Sequence, residues 1–173
     1  MPRSETETRI AASIAKYESE VAARLRGARR KLRALFPRGY EQVYDNYTAL
    51  GFGIGATDRS PSVVVSVVGY PRWVTLFFLH GAKLKDPDKL LQGAGSRVRS
   101  IRLTHENDMD EPEVLALIGQ AANARAADFA AAPKLSTIIK SVSAKQRARR
   151  PQSKSAPLQP AGEPMRRKSQ RRR

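Results

Sequence analysis

Residues 70–103, YPRWVTLFFLHGAKLKDPDKLLQGAGSRVRSIRL, decide how this chain folds. They open with an apolar run from Trp73 to Leu79, interrupted only by Thr75, and close on an imperfect alternation over residues 98–104. Short apolar or alternating runs bounded by Gly, Pro and Asp read as strands. Asp86 and Pro87 suit the loop between them, Asp accepting backbone N–H groups and Pro presetting φ. Gly93 and Gly95 offer positive φ before the last strand.

Working outward, Val63 to Val68 reads as a strand joined to Trp73–Leu79 through Gly69 and Pro71, and YEQVYDNYTAL (40–50) reads as the first strand. GFGIGA (51–56) falls between the first two strands. Its G-x-G-x-G spacing lacks both the third glycine and the following helix of a dinucleotide fingerprint, so no nucleotide site is expected there.

Apolar positions from Ile10 to Leu35 recur at three and four along Ser4–Phe36, predicting one helix stopped by Pro37 and Gly39. A second helix starts with Asp110 as cap, Glu113 completing a capping box and Pro112 in the first turn, and runs to Pro133. LSTIIKSVSAKQRARR reads as a weak third helical segment. The expected fold is α+β: a four-stranded, mainly antiparallel sheet with an N-terminal and a C-terminal helix on one face. Its strands are too apolar for a wet second face, for which a homodimer contact is one cover.

No cysteine is present among the 173 residues, which excludes disulfides, zinc thiolates, iron–sulfur clusters and cysteine nucleophiles. The apolar runs are too short to cross a membrane and the N-terminus does not read as a signal peptide, so a cytoplasmic protein is expected. The net charge is +16, and 13 of the 32 Lys and Arg residues fall in 134–173 against one acid, Glu163. The chain therefore divides into a domain, 1–133, and a basic tail, 134–173, too polar to offset its ordering entropy. Lys145, Arg147, Arg149 and Arg150 form one cluster; Arg166, Arg167, Lys168, Arg171, Arg172 and Arg173 form the other. Such a tail binds nucleic acid or another polyanion through counterion release, without sequence preference. Lacking aromatic residues, it has no rings on which bases stack.

HGAKLKDPDKLLQGAGSRVRSIRL, together with GYEQVYDNYTALGFGIG and YPRWVTLFFL, resembles the core signature of the YdhG-like family, DUF1801, over about residues 10 to 130. The resemblance implies the α+β domain and little chemistry, because that family is largely without an established activity. Some of its relatives are described as frataxin-like iron chaperones. Here that role would fall to Glu106, Asp108, Asp110, Glu111 and Glu113, with Asp86 and Asp88 elsewhere. Carboxylates at a helix start are more simply helix-dipole partners, and no metal site or cofactor is expected.

Two histidines, His80 and His105, have no metal-binding spacing, and no G-x-S-x-G elbow is present. The chain reads as a non-catalytic binding protein of unassigned ligand, with a small-ligand or iron-handling domain and an enzyme as alternatives. Tyr44, Asn46, Tyr47, Arg72 and His80 are the candidate pocket residues, at strand ends and loops where small ligands lodge.

Overall fold

The computed structural model describes residues 4–151. The helices are α1 (Glu5–Ile14), α2 (Ser19–Leu35), α3 (Pro112–Asn123) and α4 (Ala126–Ala131). The strands are β1 (Tyr40–Asp45), β2 (Leu50–Gly55), β3 (Val63–Gly69), β4 (Val74–Phe78), β5 (Arg99–Leu103) and β6 (Ser136–Val142). They form one sheet in the order β5-β4-β3-β2-β1-β6, antiparallel throughout except that β6 runs parallel to β1.

This corrects the expected four-stranded sheet with two helices at four places. GFGIG is a strand: Leu50, Phe52 and Ile54 face the helices, fully buried, while Gly51, Gly53 and Gly55 face the other way. The period of two was there, but alternate glycines hid it because glycine carries no hydropathy signal. The sixth strand comes from residues read as a weak helix and assigned to the tail. Thr137, Ile138, Ile139 and Val142 favour the extended chain, and the free edge of β1 supplies the partner.

The single helix expected over Ser4–Phe36 is two, broken at Ala15–Glu18. Ile14, Tyr17 and Val21 keep the helical spacing across the break, so periodicity cannot reveal it. What decides it is Tyr17, whose hydroxyl donates to Gly69 O at 2.7 Å and accepts from Leu50 N at 3.1 Å inside the core. Burial pushes this phenol's pKa up. The C-terminal helix divides likewise, at Ala124 and Arg125. Its cap position is Glu111; Asp110 lies instead in a 3-10 turn and pairs with Lys31.

Helices α1, α2 and α3 cover one sheet face. Leu25, Leu32, Leu117 and Ile118 pack there with Phe52, Val65, Val67, Leu76 and Phe78 into one apolar cluster. Gly69 permits the approach of α2, since a Cβ there would stand 2.6 Å from Leu25 Cδ2. No helix among the described residues is long and apolar enough to cross a membrane.

Candidate functional site

Two acidic residues, Glu41 and Asp45, lie in the strands of the sheet, and both point to the helices. Glu41, fully buried, accepts from Arg29 Nε at 2.7 Å, from Arg33 Nη1 at 2.6 Å and from Thr137 Oγ1 at 2.7 Å. Arg29 also grips Glu7 through two bonds and lies over the Phe52 ring. Burial works against its charge, but the hydrogen bonds to Glu41 and Glu7 more than offset this and raise its pKa. Asp45 accepts from Ser13 Oγ at 2.8 Å and from Arg149 Nη2 at 2.7 Å.

The opposite face is therefore free of carboxylates among the described strand residues. It bears Tyr44 of β1, the β2 glycines, Ser66 and Val68 of β3, Thr75 and Phe77 of β4, and Arg102 of β5. The β3–β4 turn adds Tyr70 and Trp73, whose rings lie 5.4 Å apart, and the Arg102 guanidinium sits 4.5 Å over the Trp73 ring. Tyr70 N donates to Trp73 O, closing a tight turn that sends both rings to the same face. A trough of about 420 Å3 runs beside this row. Gly51, Gly53, Ser66 and Val68 form its floor, and Tyr44 and Tyr70 stand at its sides. The glycines make the room, since side chains at 51 and 53 would stand in the trough. One end is capped by residues 56–62, held down by Gln42 Nε2 donating to Thr57 O and Arg59 O, with the Tyr44 hydroxyl 2.6 Å from Ser60 Oγ.

The other end opens between the β1–β2 and β3–β4 turns, which the pairing of Leu50 with Gly69 sets side by side. Residues 147–150 of the basic C-terminal segment lie at this end, Arg149 and Arg150 on its helix side. Arg147 N donates to Tyr47 O, and Arg149 donates to Tyr17 Oη, Asp45 Oδ1 and Asn46 O. Arg149 is thus a buried anchor, and Arg150 is engaged with the carbonyls of Tyr17 and Ala15. Lys145 and Arg147 are exposed. Arg166, Arg167, Lys168, Arg171, Arg172 and Arg173 lie outside the described residues.

Of the five pocket candidates, Tyr44 and Asn46 line the trough. Tyr47 is exposed in the β1–β2 turn and Arg72 in the β3–β4 turn. His80 lies elsewhere, in a cavity between α3 and the β4–β5 connection. Asp86 takes the turn role expected of it, accepting from Leu90 N and Leu91 N, and Gly93 has φ of 120°. In the acidic segment, burial opposes ionisation of Asp108, but bonds from the His105 and Thr104 amides and the Thr104 hydroxyl hold its pKa below the usual range. Among the described residues no group of three or more His, Asp or Glu is placed to hold a metal ion. Tyr70, Trp73 and Arg102 are not among the candidates read from the sequence: Pro71 marks a turn there, but only the β4–β5 register sets Arg102 beside Trp73. Comparison with protein-family models, with curated proteins and with solved structures found no match for this chain.

Proposed function

We propose that the protein binds single-stranded nucleic acid without sequence preference, the basic C-terminal segment holding the phosphate backbone and the open sheet face receiving bases. The observation that carries this is the open face itself: aromatic rings, an exposed arginine and a trough, with no carboxylate among its described strand residues. Bases stack on Tyr, Trp and Arg planes at about 1–3 kcal/mol each, whatever their identity. The excess of cations in 134–173 supplies the backbone attraction, and its residues 147–149 lie at the end of the sheet where the trough opens. A double helix keeps its bases stacked inside and offers the trough nothing. On this reading the protein is a cytoplasmic binding protein, and its domain is assigned to the YdhG-like family as a proposal resting on the resemblance over residues 10 to 130.

Trp73 is the sole tryptophan, so its emission reports on this face alone. Titrating the full chain with oligothymidylate across a salt series should quench Trp73, with log affinity falling linearly against log salt. Tyr70→Ala and Arg102→Ala should each weaken the single strand by about tenfold, one stacking contact's worth, and leave duplex binding unchanged. Equal binding of single strand and duplex, with Trp73 emission unmoved, would remove the sheet face from the site.

A further inference from the structure

On the helix side of the sheet, at the end away from the trough's mouth, a cavity of about 560 Å3 opens between the C-terminal turn of α3 and the 3-10 turn Gly81–Lys83. Its size falls in the range of small-molecule sites, roughly 300–1,000 Å3. The floor is core: Val64, Phe78 and Ala121 are all buried. The rim carries His80, Lys83, Asn123 and Arg125, and no Asp or Glu lines it.

We infer that this cavity binds a small organic anion, a carboxylate or phosphate monoester whose charged end meets Lys83, His80 and Arg125 and whose apolar body lies on Val64, Phe78 and Leu84. Three features carry the inference. First, the side chains of His80, Lys83 and Asn123 make no hydrogen bond or ion pair with any described residue, and Arg125 uses one nitrogen on Asp128 at 3.0 Å, so donors remain for a ligand. Second, the rim is fixed before any ligand arrives. The Gln120 amide accepts from Lys85 N at 2.8 Å and donates to Lys85 O at 2.9 Å, fastening the chain after the 3-10 turn to α3. Gly81 seats that turn against β5, where a Cβ would stand 2.5 Å from Arg99 Cβ. A backbone pinned in this way avoids the ordering cost that a loose loop incurs on binding.

Third, the field in the cavity is positive. Burial, and then the charges of Arg97, Arg125 and Lys83, hold the His80 imidazole below its usual range. Those three cations come from the segment before β5, from the α3–α4 junction and from the 3-10 turn; Asp128 partly balances Arg125 from outside the lining, and no carboxylate lines the cavity itself. An anion in their midst relieves the repulsion, so His80 takes up a proton as the ligand binds, and affinity rises as pH falls. A cation or a neutral apolar molecule gains nothing from this arrangement. The site lies on the other side of the sheet from the trough and does not depend on nucleic-acid binding.

The test uses the full chain at physiological salt, with phenyl phosphate and octanoate as probes, benzyl alcohol as the neutral control, and the His80 imidazole signal followed by NMR. His105→Asn leaves one histidine and so assigns the signal. Either anion should shift His80 saturably and raise its pKa, and each should displace the other. Lys83→Gln and Arg125→Gln, both exposed and expected to melt as the parent does, should each weaken binding by about tenfold. The inference is overturned if neither anion moves the His80 signal, if benzyl alcohol binds as well as the anions, or if both substitutions leave the affinities unchanged. Phosphate groups captured only by the basic C-terminal segment would leave His80 still, which separates this site from that segment.

Discussion

Glu41 and Asp45 sit two positions either side of Val43 on β1, and together they send two carboxylates into the helix-facing core. A buried charge is tolerable only when paired and hydrogen-bonded, and arginines from α2 and from the C-terminal segment meet that demand. Removing one partner strands the others. Glu41→Ala should therefore lower stability by about 3–5 kcal/mol, read from urea unfolding, whereas the apolar pair Arg29→Met with Glu41→Leu should be far milder. His80 makes a second prediction, in pH. Because the folded protein holds this imidazole below its unfolded value of about 6.5, the unfolded chain takes the proton more readily. Stability is then undiminished above that value and declines as pH falls through it. His80→Asn should flatten the dependence of melting temperature on pH between about 5 and 7.

Among the elements, β6 changes most in the passage from sequence to structure. It completes the sheet beside β1, and the residues beyond it return Arg149 to Asp45 and Tyr17. The folded domain thus continues past residue 133, through β6 to Arg149. A chain ending at 151 should melt as the full chain does. One ending at 133 loses a strand and leaves Asp45 buried without its arginine, and thermal unfolding should show it strongly destabilised or unfolded. Arg149→Ala isolates the second effect, at about 3–5 kcal/mol. The turn leading into β1 is as demanding. Gly39 has φ of 106°, and a Cβ there would stand 2.5 Å from Gly55 O. Gly39→Ala should cost more than about 1 kcal/mol, combining a strained backbone with a clash against backbone.

Taken whole, the molecule separates its features. Helices and paired charges occupy one side of the sheet, while the Tyr70–Trp73 pair and the glycine-floored trough occupy the other. The rim cations of the His80 cavity and the trough are therefore on opposite sides of a rigid layer. Protein saturated with phenyl phosphate should bind oligothymidylate with unchanged affinity at fixed ionic strength. Competition between the two would mean that both ligands use the basic C-terminal segment. Deleting 152–173 should flatten the salt dependence of nucleic-acid affinity and leave Trp73 quenching at high concentration, because charge and stacking reside in different parts of the chain.

Legible from the residues alone were the mixture of helix and strand, the four strands β1, β3, β4 and β5, the apolar stripes of α1, α2 and α3, and the concentration of cations at one end. These are local properties: apolar periodicity and charge are carried by neighbouring residues and need no partner to be read. Long-range packing set the rest: GFGIG is a strand, Ser4–Phe36 breaks at Tyr17, and STIIKSV joins the sheet. In each case the outcome rests on a contact from far along the chain: β3 beside the glycines, Gly69 O for the Tyr17 hydroxyl, the free edge of β1 for β6. The sites follow the same rule. Tyr44 and Tyr70 share a trough, and His80 meets Lys83 and Arg125, because strand register and helix packing bring together residues that no spacing along the sequence relates.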